Sequence, residues 1–315
     1  MAKKLELTLT LANYHRTHPI LSGEVAPKGI KLATRQVVPG EPCLKPIYEE
    51  YDIAEMSLSW YVMARAKKEP VVALPVFPQR MFIHPYIFCA TSSNIREPRD
   101  LQSKTFGMDQ YRFTVGLWAR GILNEVYGLS PEETQWVTSF DEGAGFRLPK
   151  NIRLTKQTKP VESLLLNGEI DAVIAPNTLP SFRAGDPRIR RLFPDCRAEI
   201  RKYFRLTGIF PMTHTVVIRE SLLAEHPWIA HSLFEAFQEA ESVCRQAYNY
   251  AKRIAFPTAV LILEEEEDSF GKDPFHHGLT DSNRVVLEKF LQYAEQQGYL
   301  DHRPTLHSLF ASVLD

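Results

Sequence analysis

The sequence predicts a two-lobed α/β protein in which each lobe is a mixed, mostly parallel sheet flanked by helices and the ligand sits in the cleft between lobes. Three observations predict it. Strand-length segments alternate with helix-length amphipathic ones along the whole chain, which favours parallel pairing. The chain has 315 residues, long for one core and comfortable for two lobes of about 100–200 residues. The stretch Asp52–Tyr61 reads as a buried strand running into a helix, with Glu55, Ser57 and Ser59 at the handover. That is where open α/β sheets bind ligands, at strand carboxyl ends against helix starts.

The elements follow in order. Leu5, Leu7, Leu9 and Leu11 alternate with Glu6, Thr8 and Thr10, the period of a strand. The polar run Asn13–His18 is the loop at its carboxyl end. A second strand is expected near Ile30–Val38. Pro39, Pro42 and Pro46 then break the chain, so the next helix is short or starts late. Ile53–Met56 is a short strand and Trp60–Lys67 a helix. Val71–Phe77 and Tyr86–Ala90 are apolar runs typical of buried strands.

A second lobe is expected to start after Thr91. Ile95–Leu101 is a helical turn leading into strand Thr105–Met108, and Gln110–Thr114 opens a helix to about Tyr127. Gln135–Val137 is a strand, Ser139–Asn151 a loop, Val161–Asn167 a helix and Ile170–Ala175 a strand. Leu206–Pro211 returns the chain to the first lobe, where His214–Ile218 is a strand. Pro227–Lys252 is one long helix, with Ile229, Leu233, Phe234, Phe237, Ala240, Cys244, Ala247 and Tyr248 on a buried stripe. Glu264–Glu267 is a solvated helix face or turn, and Arg284–Gln297 a terminal helix. The expected lobes are therefore 1–91 with 209–315, and 92–208, joined by two crossings that make a hinged cleft.

Composition narrows the function. The chain is 44% hydrophobic and 24% charged with a net charge of −1, so no basic field points to nucleic acid or anionic lipid. No stretch approaches the roughly 20 apolar residues of a membrane span. The amino-terminal alternation is a strand rather than the apolar core of a leader, so a cytoplasmic location is expected. Cys43, Cys89, Cys196 and Cys244 lack paired or metal-type spacing and read as free thiols. The sequence leaves open whether the chain forms a homo-oligomer.

Several segments resemble type II periplasmic binding proteins: Arg96–Gly107 their entry to the second lobe, Leu164–Ile174 their helix–turn–strand, and His226–Ala230 their late helix start. More specifically, Asp52–Tyr61, Pro75–Phe82, Trp118–Leu123 and above all Arg205–Arg219 resemble the 4,5-dihydroxyphthalate decarboxylase family, across most of the chain. The resemblance implies non-oxidative removal of one carboxylate from a dihydroxylated aromatic dicarboxylic acid, giving a product like protocatechuate. The first loop departs from the family's Tyr-Asp-Arg-Thr, reading Tyr14-His15-Arg16-Thr17. Ile83 precedes His84 where the family carries an Arg. A different ring-hydroxylated phthalate isomer is therefore a further reading. A solute-binding or sensor protein of the same fold is the non-enzymatic alternative.

That reaction needs a positioned carboxylate, a proton for the ring carbon and somewhere for negative charge to go. A phenol para to the leaving group supplies the last through its keto tautomer, so no cofactor is called for. The chain carries no Gly-rich phosphate loop, H-E-x-x-H motif or Gly-x-Ser-x-Gly elbow. A divalent metal held by Glu55 and a histidine beside a catechol is the alternative. Arginines pair with carboxylates, which selects Arg80, Arg16 and Arg205, with Arg112 competing; salt bridges are their other use. Histidine is the simplest proton donor near neutral pH. His214, where the chain re-enters the first lobe, is expected first, then His84, with His15 and His18 in the first loop. Glu55 would take the phenolic proton or hold the hydroxyls. Ser57 and Ser59 would contact ligand or cap the helix. Tyr111 and Thr114 would close from the second lobe. Trp60, Trp118 and Phe113 read as core, and His276–His277 as a surface pair.

Overall fold

The computed structural model describes residues 3–37, 47–143 and 146–313. Val38 and the proline-rich stretch Pro39–Pro46, with Cys43, lie outside the described residues. The strands are β1 Leu5–Leu11, β2 Ile30–Gln36, β3 Ile53–Ser57, β4 Val71–Leu74, β5 Ile87–Ala90, β6 Thr105–Met108, β7 Gln135–Thr138, β8 Arg153–Lys156, β9 Ala172–Ile174, β10 Ile189–Arg191 and β11 His214–Arg219. The helices are α1 His18–Leu21, α2 Leu58–Ala66, α3 Thr114–Tyr127, α4 Val161–Leu166, α5 Pro180–Arg183, α6 Cys196–Thr207, α7 Glu220–Glu225, α8 Trp228–Tyr248, α9 Ala259–Phe270, α10 Asp281–Gln296 and α11 Leu306–Leu309. Among the described residues no helix is long and apolar enough to cross a membrane.

The chain divides into two compact units. Unit 1 holds residues 1–80, 212–288 and 304–315. Its sheet runs β2-β1-β3-β11-β4, with β1 parallel to β2 and β3, and β11 antiparallel to β3 and β4. Leu7, Leu9 and Leu11, the apolar half of the alternation in β1, pack in one core with Ile229, Leu233, Phe237 and Ala240 of α8. The central strand β3 is buried along its whole length, so a carboxylate there must find its donors inside the protein. Asp52, just before β3, accepts bonds from the Thr8 N–H and hydroxyl at 2.8 and 2.7 Å and pairs with Arg219.

Unit 2 holds residues 81–211 and 289–303. Its sheet runs β10-β5-β9-β6-β7-β8, parallel from β9 to β8 and antiparallel at β5 and β10. The first crossing thus falls at Arg80, ahead of the expected Thr91, because β5 pairs with β9 and β10 rather than with the first sheet. Residues 289–303 also belong here: Phe290 and Tyr293 pack on Trp118, and Gln297 and Tyr299 bond Arg120. Arg120 is 1% exposed, and its guanidinium lies 3.6 Å over the Tyr111 ring.

Candidate active site

The carboxyl ends of β1 and β3 and the amino end of β11, the three inner strands, lie at the same end of the unit 1 sheet. In the antiparallel β3–β11 pair, Ser57 stands opposite His214 and Glu55 opposite Val216. Opposed residues share a sheet face, so Glu55 and His214 are diagonal neighbours on that face. Glu55 has no exposed side-chain surface, and His214 keeps 12% of its own. The His214 Nδ1 lies 2.5 Å from Glu55 Oε1. A carboxylate at that distance places the proton on Nδ1.

Two further donors reach the same carboxylate from the loop after β1. The Ala12 N–H donates to Oε2 at 2.8 Å, and the Tyr14 hydroxyl donates to Oε1 at 2.9 Å. Thr17, 2% exposed, pins this loop. Its hydroxyl donates to the Ala12 carbonyl at 2.6 Å and accepts from the Tyr14 N–H at 3.0 Å. The Leu58 N–H donates to the Thr213 carbonyl at 2.8 Å, tying the β3–α2 junction to the start of β11. Ser57 holds the N-cap position of α2 without a side-chain capping bond. The Ser57 and Ser59 hydroxyls, both buried, are 3.5 Å apart.

Arg16 and Arg80 belong to the same unit. The Arg16 guanidinium lies over the Phe275 ring, 3.7 Å from its centre, and its Nη2 donates to the Pro78 carbonyl at 2.8 Å. Arg80 donates through Nη2 to the His276 carbonyl at 2.7 Å and to Asn283 Oδ1 at 2.9 Å. The buried Nε of each has no partner among the described residues. Burial lowers the pKa of both and pushes Arg80 down to about 9, against the pull of Glu241's negative charge. Arg16 also borders a cavity of about 600 Å³ with Glu241, Asp273, Cys244 and Tyr248. Glu241 is 4% exposed, and burial beside Asp273 holds its carboxyl well above the ordinary range.

The remaining candidates sit elsewhere. His15 is exposed, 3.5 Å from the Tyr248 hydroxyl. His84 and Tyr111 are in unit 2 and have no exposed surface. His84 is packed by Phe193 and Tyr203 and bonded to Tyr127, and the Tyr111 ring lies under the Arg120 guanidinium and meets Trp136 edge to face. Tyr111, expected to close on a ligand from the second lobe, has its ring in the unit 2 core, and its buried hydroxyl has no partner among the described residues. Thr114, the first residue of α3, is buried, and Arg205 is exposed in the last turn of α6, where a cation suits the helix's negative end. The surface pair expected at His276–His277 is also corrected. His277 is 7% exposed, takes the Phe77 N–H at 3.3 Å and lies 3.7 Å from Glu241.

Two residues of the site escaped the sequence reading. Tyr14 carried only its place after β1 and its match to the tyrosine of the family's first loop. Glu241 carried one, since it is an acid on the buried stripe of α8, between Phe237 and Cys244. Among the described residues no group of three or more His, Cys, Asp or Glu side chains is placed to hold a metal ion.

No protein-family model matches the chain. A 4,5-dihydroxyphthalate decarboxylase of Comamonas testosteroni is 30% identical over 319 residues, spanning 98% of this chain and 96% of that protein. A second protein of that description, from Pseudomonas putida, is 32% identical over 212 residues, 64% of this chain and 82% of the other. Among solved structures, the periplasmic aliphatic sulphonate binding protein of Escherichia coli superposes with a TM-score of 0.59 at 12% identity, covering 100% of this chain and 94% of its own. At that identity the likeness establishes the two-unit α/β fold and nothing finer.

Proposed function

Since this chain belongs to the 4,5-dihydroxyphthalate decarboxylase family, we propose that Glu55 and His214 are its acid–base pair and that Arg16 and Arg80 hold the substrate's carboxylates. The chain is a carboxy-lyase: it removes one carboxylate of 4,5-dihydroxyphthalate as CO2, without oxidation. The other product is 3,4-dihydroxybenzoate, protocatechuate.

The chemistry asks for one proton in and one CO2 out. A proton is added to the ring carbon that bears the departing carboxylate, while the hydroxyl para to it gives up its own to water, and the ring becomes a ketone. The electron pair of the carbon–carboxylate bond then flows back into the ring as CO2 leaves. The ring regains aromaticity as a phenolate, which takes a proton again. The His214 imidazolium supplies the proton to carbon. Glu55 holds Nδ1 and compensates the imidazolium's charge, which assigns the transfer to Nε2.

The observation that carries this reading is the 2.5 Å contact between His214 Nδ1 and a carboxylate with no exposed surface. A buried carboxylate beside an imidazole costs stability unless it is paired, and such pairs concentrate at functional sites. Arg16 and Arg80 support the rest. They interact with each other through their charges, and a substrate with two adjacent carboxylates supplies the counter-charge.

Incubation with 4,5-dihydroxyphthalate should release CO2 and convert the ultraviolet spectrum to that of 3,4-dihydroxybenzoate. His214→Ala should lower kcat by about 10²–10⁴-fold and leave substrate affinity nearly unchanged. Normal turnover in that variant would remove His214 from the reaction. Binding without turnover in the unsubstituted protein would make the chain a binder of aromatic acids instead.

A further inference from the structure

We propose that Tyr14 is a positioning residue for this reaction: by sharing Glu55 Oε1 with the His214 imidazole, its hydroxyl sets how tightly His214 holds its proton. The inference rests on the acid–base reading of Glu55 and His214 above.

The two oxygens of Glu55 are not equivalent. Oε2 takes the Ala12 N–H at 2.8 Å. Oε1 takes both the Tyr14 hydroxyl at 2.9 Å and His214 Nδ1 at 2.5 Å. Glu55 has no exposed surface, so water does not dilute the competition between these donors. Each donor that settles on Oε1 draws off part of the charge that would otherwise stabilise the imidazolium. Removing the phenolic donor concentrates that charge on His214 and makes its proton harder to give up. A proton donor to carbon gains from the opposite setting, a pKa near the working pH and a readily released proton.

The surroundings hold the phenol in this role. Thr17 fixes the Tyr14 backbone from both sides, taking its N–H at 3.0 Å and donating its own N–H to its carbonyl at 3.1 Å. The Arg16 guanidinium stands 5.8 Å over the Tyr14 ring, a placement that draws electron density from the phenol and strengthens its O–H as a donor. Among the described residues, the charged and titratable groups that meet in this cluster include Tyr14 and Arg16 from the loop after β1, Glu55 from β3 and His214 from β11.

The test follows the His214 imidazole by NMR across pH, with its resonance identified by loss in His214→Gln. Tyr14→Phe keeps the ring and removes only the hydroxyl. It should raise the His214 pKa by about 0.5–1 unit, carry the alkaline limb of the kcat/KM profile upward with it, and lower kcat while leaving KM nearly unchanged. In a Glu55→Gln background the same substitution should move the titration little or not at all, because the shared oxygen no longer carries charge. An unmoved titration in Tyr14→Phe, or an equal shift in the Glu55→Gln background, overturns the role of Tyr14. Full activity in His214→Ala would instead overturn the acid–base reading while leaving the titration result standing.

Discussion

His84 has no exposed surface, and burial pushes its pKa down to about 4. Its hydrogen bonds explain why. The Tyr127 hydroxyl donates to Glu199 at 2.8 Å, so His84 Nε2, 3.0 Å from that oxygen, must be the donor to it. Nδ1 then carries a buried lone pair with no partner among the described residues, and protonating it would bury an unpaired N–H. The folded pKa lies below the unfolded value of 6.5. This contribution to stability is therefore full above pH 6.5 and is lost as pH falls toward about 4. His84→Gln should flatten the fall of the urea midpoint over that window, by at most about 1.4 kcal/mol per pH unit. An unchanged slope would mean that His84 is already charged in the folded protein. Residues of this kind were the least legible. Glu55 stood out as a carboxylate inside an apolar strand, whose burial forces a partner. A histidine or tyrosine suits a core and a site equally well, so His84 and Tyr111 gave no sign of facing inward, and Tyr14 no sign of reaching Glu55.

Periodicity made most elements readable, and failed where pairing rather than pattern decides. The alternation of β1 and the stripe of α8 both persist in the fold because each covers a buried face. The apolar run at β5 looks the same in either sheet, and only its antiparallel bonds to β9 and β10 assign it to unit 2. The strand β8 has no fully buried residue, so its sequence held no apolar signal; its place comes from parallel pairing with β7. Helix α6 is strongly polar with Tyr203 alone buried, so its sequence carries no apolar stripe, and only its end, at Leu206, falls in the expected return connection. Helix α3 shows the opposite, a packing constraint written in one residue. A Cβ at Gly121 would collide with the ring of Tyr293 on α10. Gly121→Ala gains helix propensity of about 0.8–1 kcal/mol, but overpacking of this kind costs about 1–3 kcal/mol. Net destabilisation, read as a lower urea midpoint with an unchanged m-value, is the expected result. A more stable variant would show that Tyr293 moves aside freely.

At the scale of the molecule, unit 2 is an insertion within unit 1, visited once between Arg80 and Met212 and again over residues 289–303. Each unit owns a sheet and a core, with Leu9, Ile53 and Phe237 in one and Phe88, Val161 and Val173 in the other. The Glu55–His214–Tyr14 cluster is built wholly from unit 1, with Glu55 and His214 on the adjacent strands β3 and β11 and Tyr14 on the loop after β1. Local stability follows the core to which a residue belongs, and cores that are contiguous in contacts open as cooperative units. Gly121 and Tyr293 both lie in unit 2, so the strain of Gly121→Ala falls first on that unit. In native-state hydrogen exchange it should speed the amides of β6 and β7 and leave those of β1 and β3 near their original rates. Equal acceleration in both sheets would mean that the chain opens as a single cooperative body. The Glu55–His214–Tyr14 cluster would then depend on the packing of α3 as much as on its own strands. Selective acceleration would show that unit 1 keeps the geometry of Glu55 and His214 on the strength of its own core.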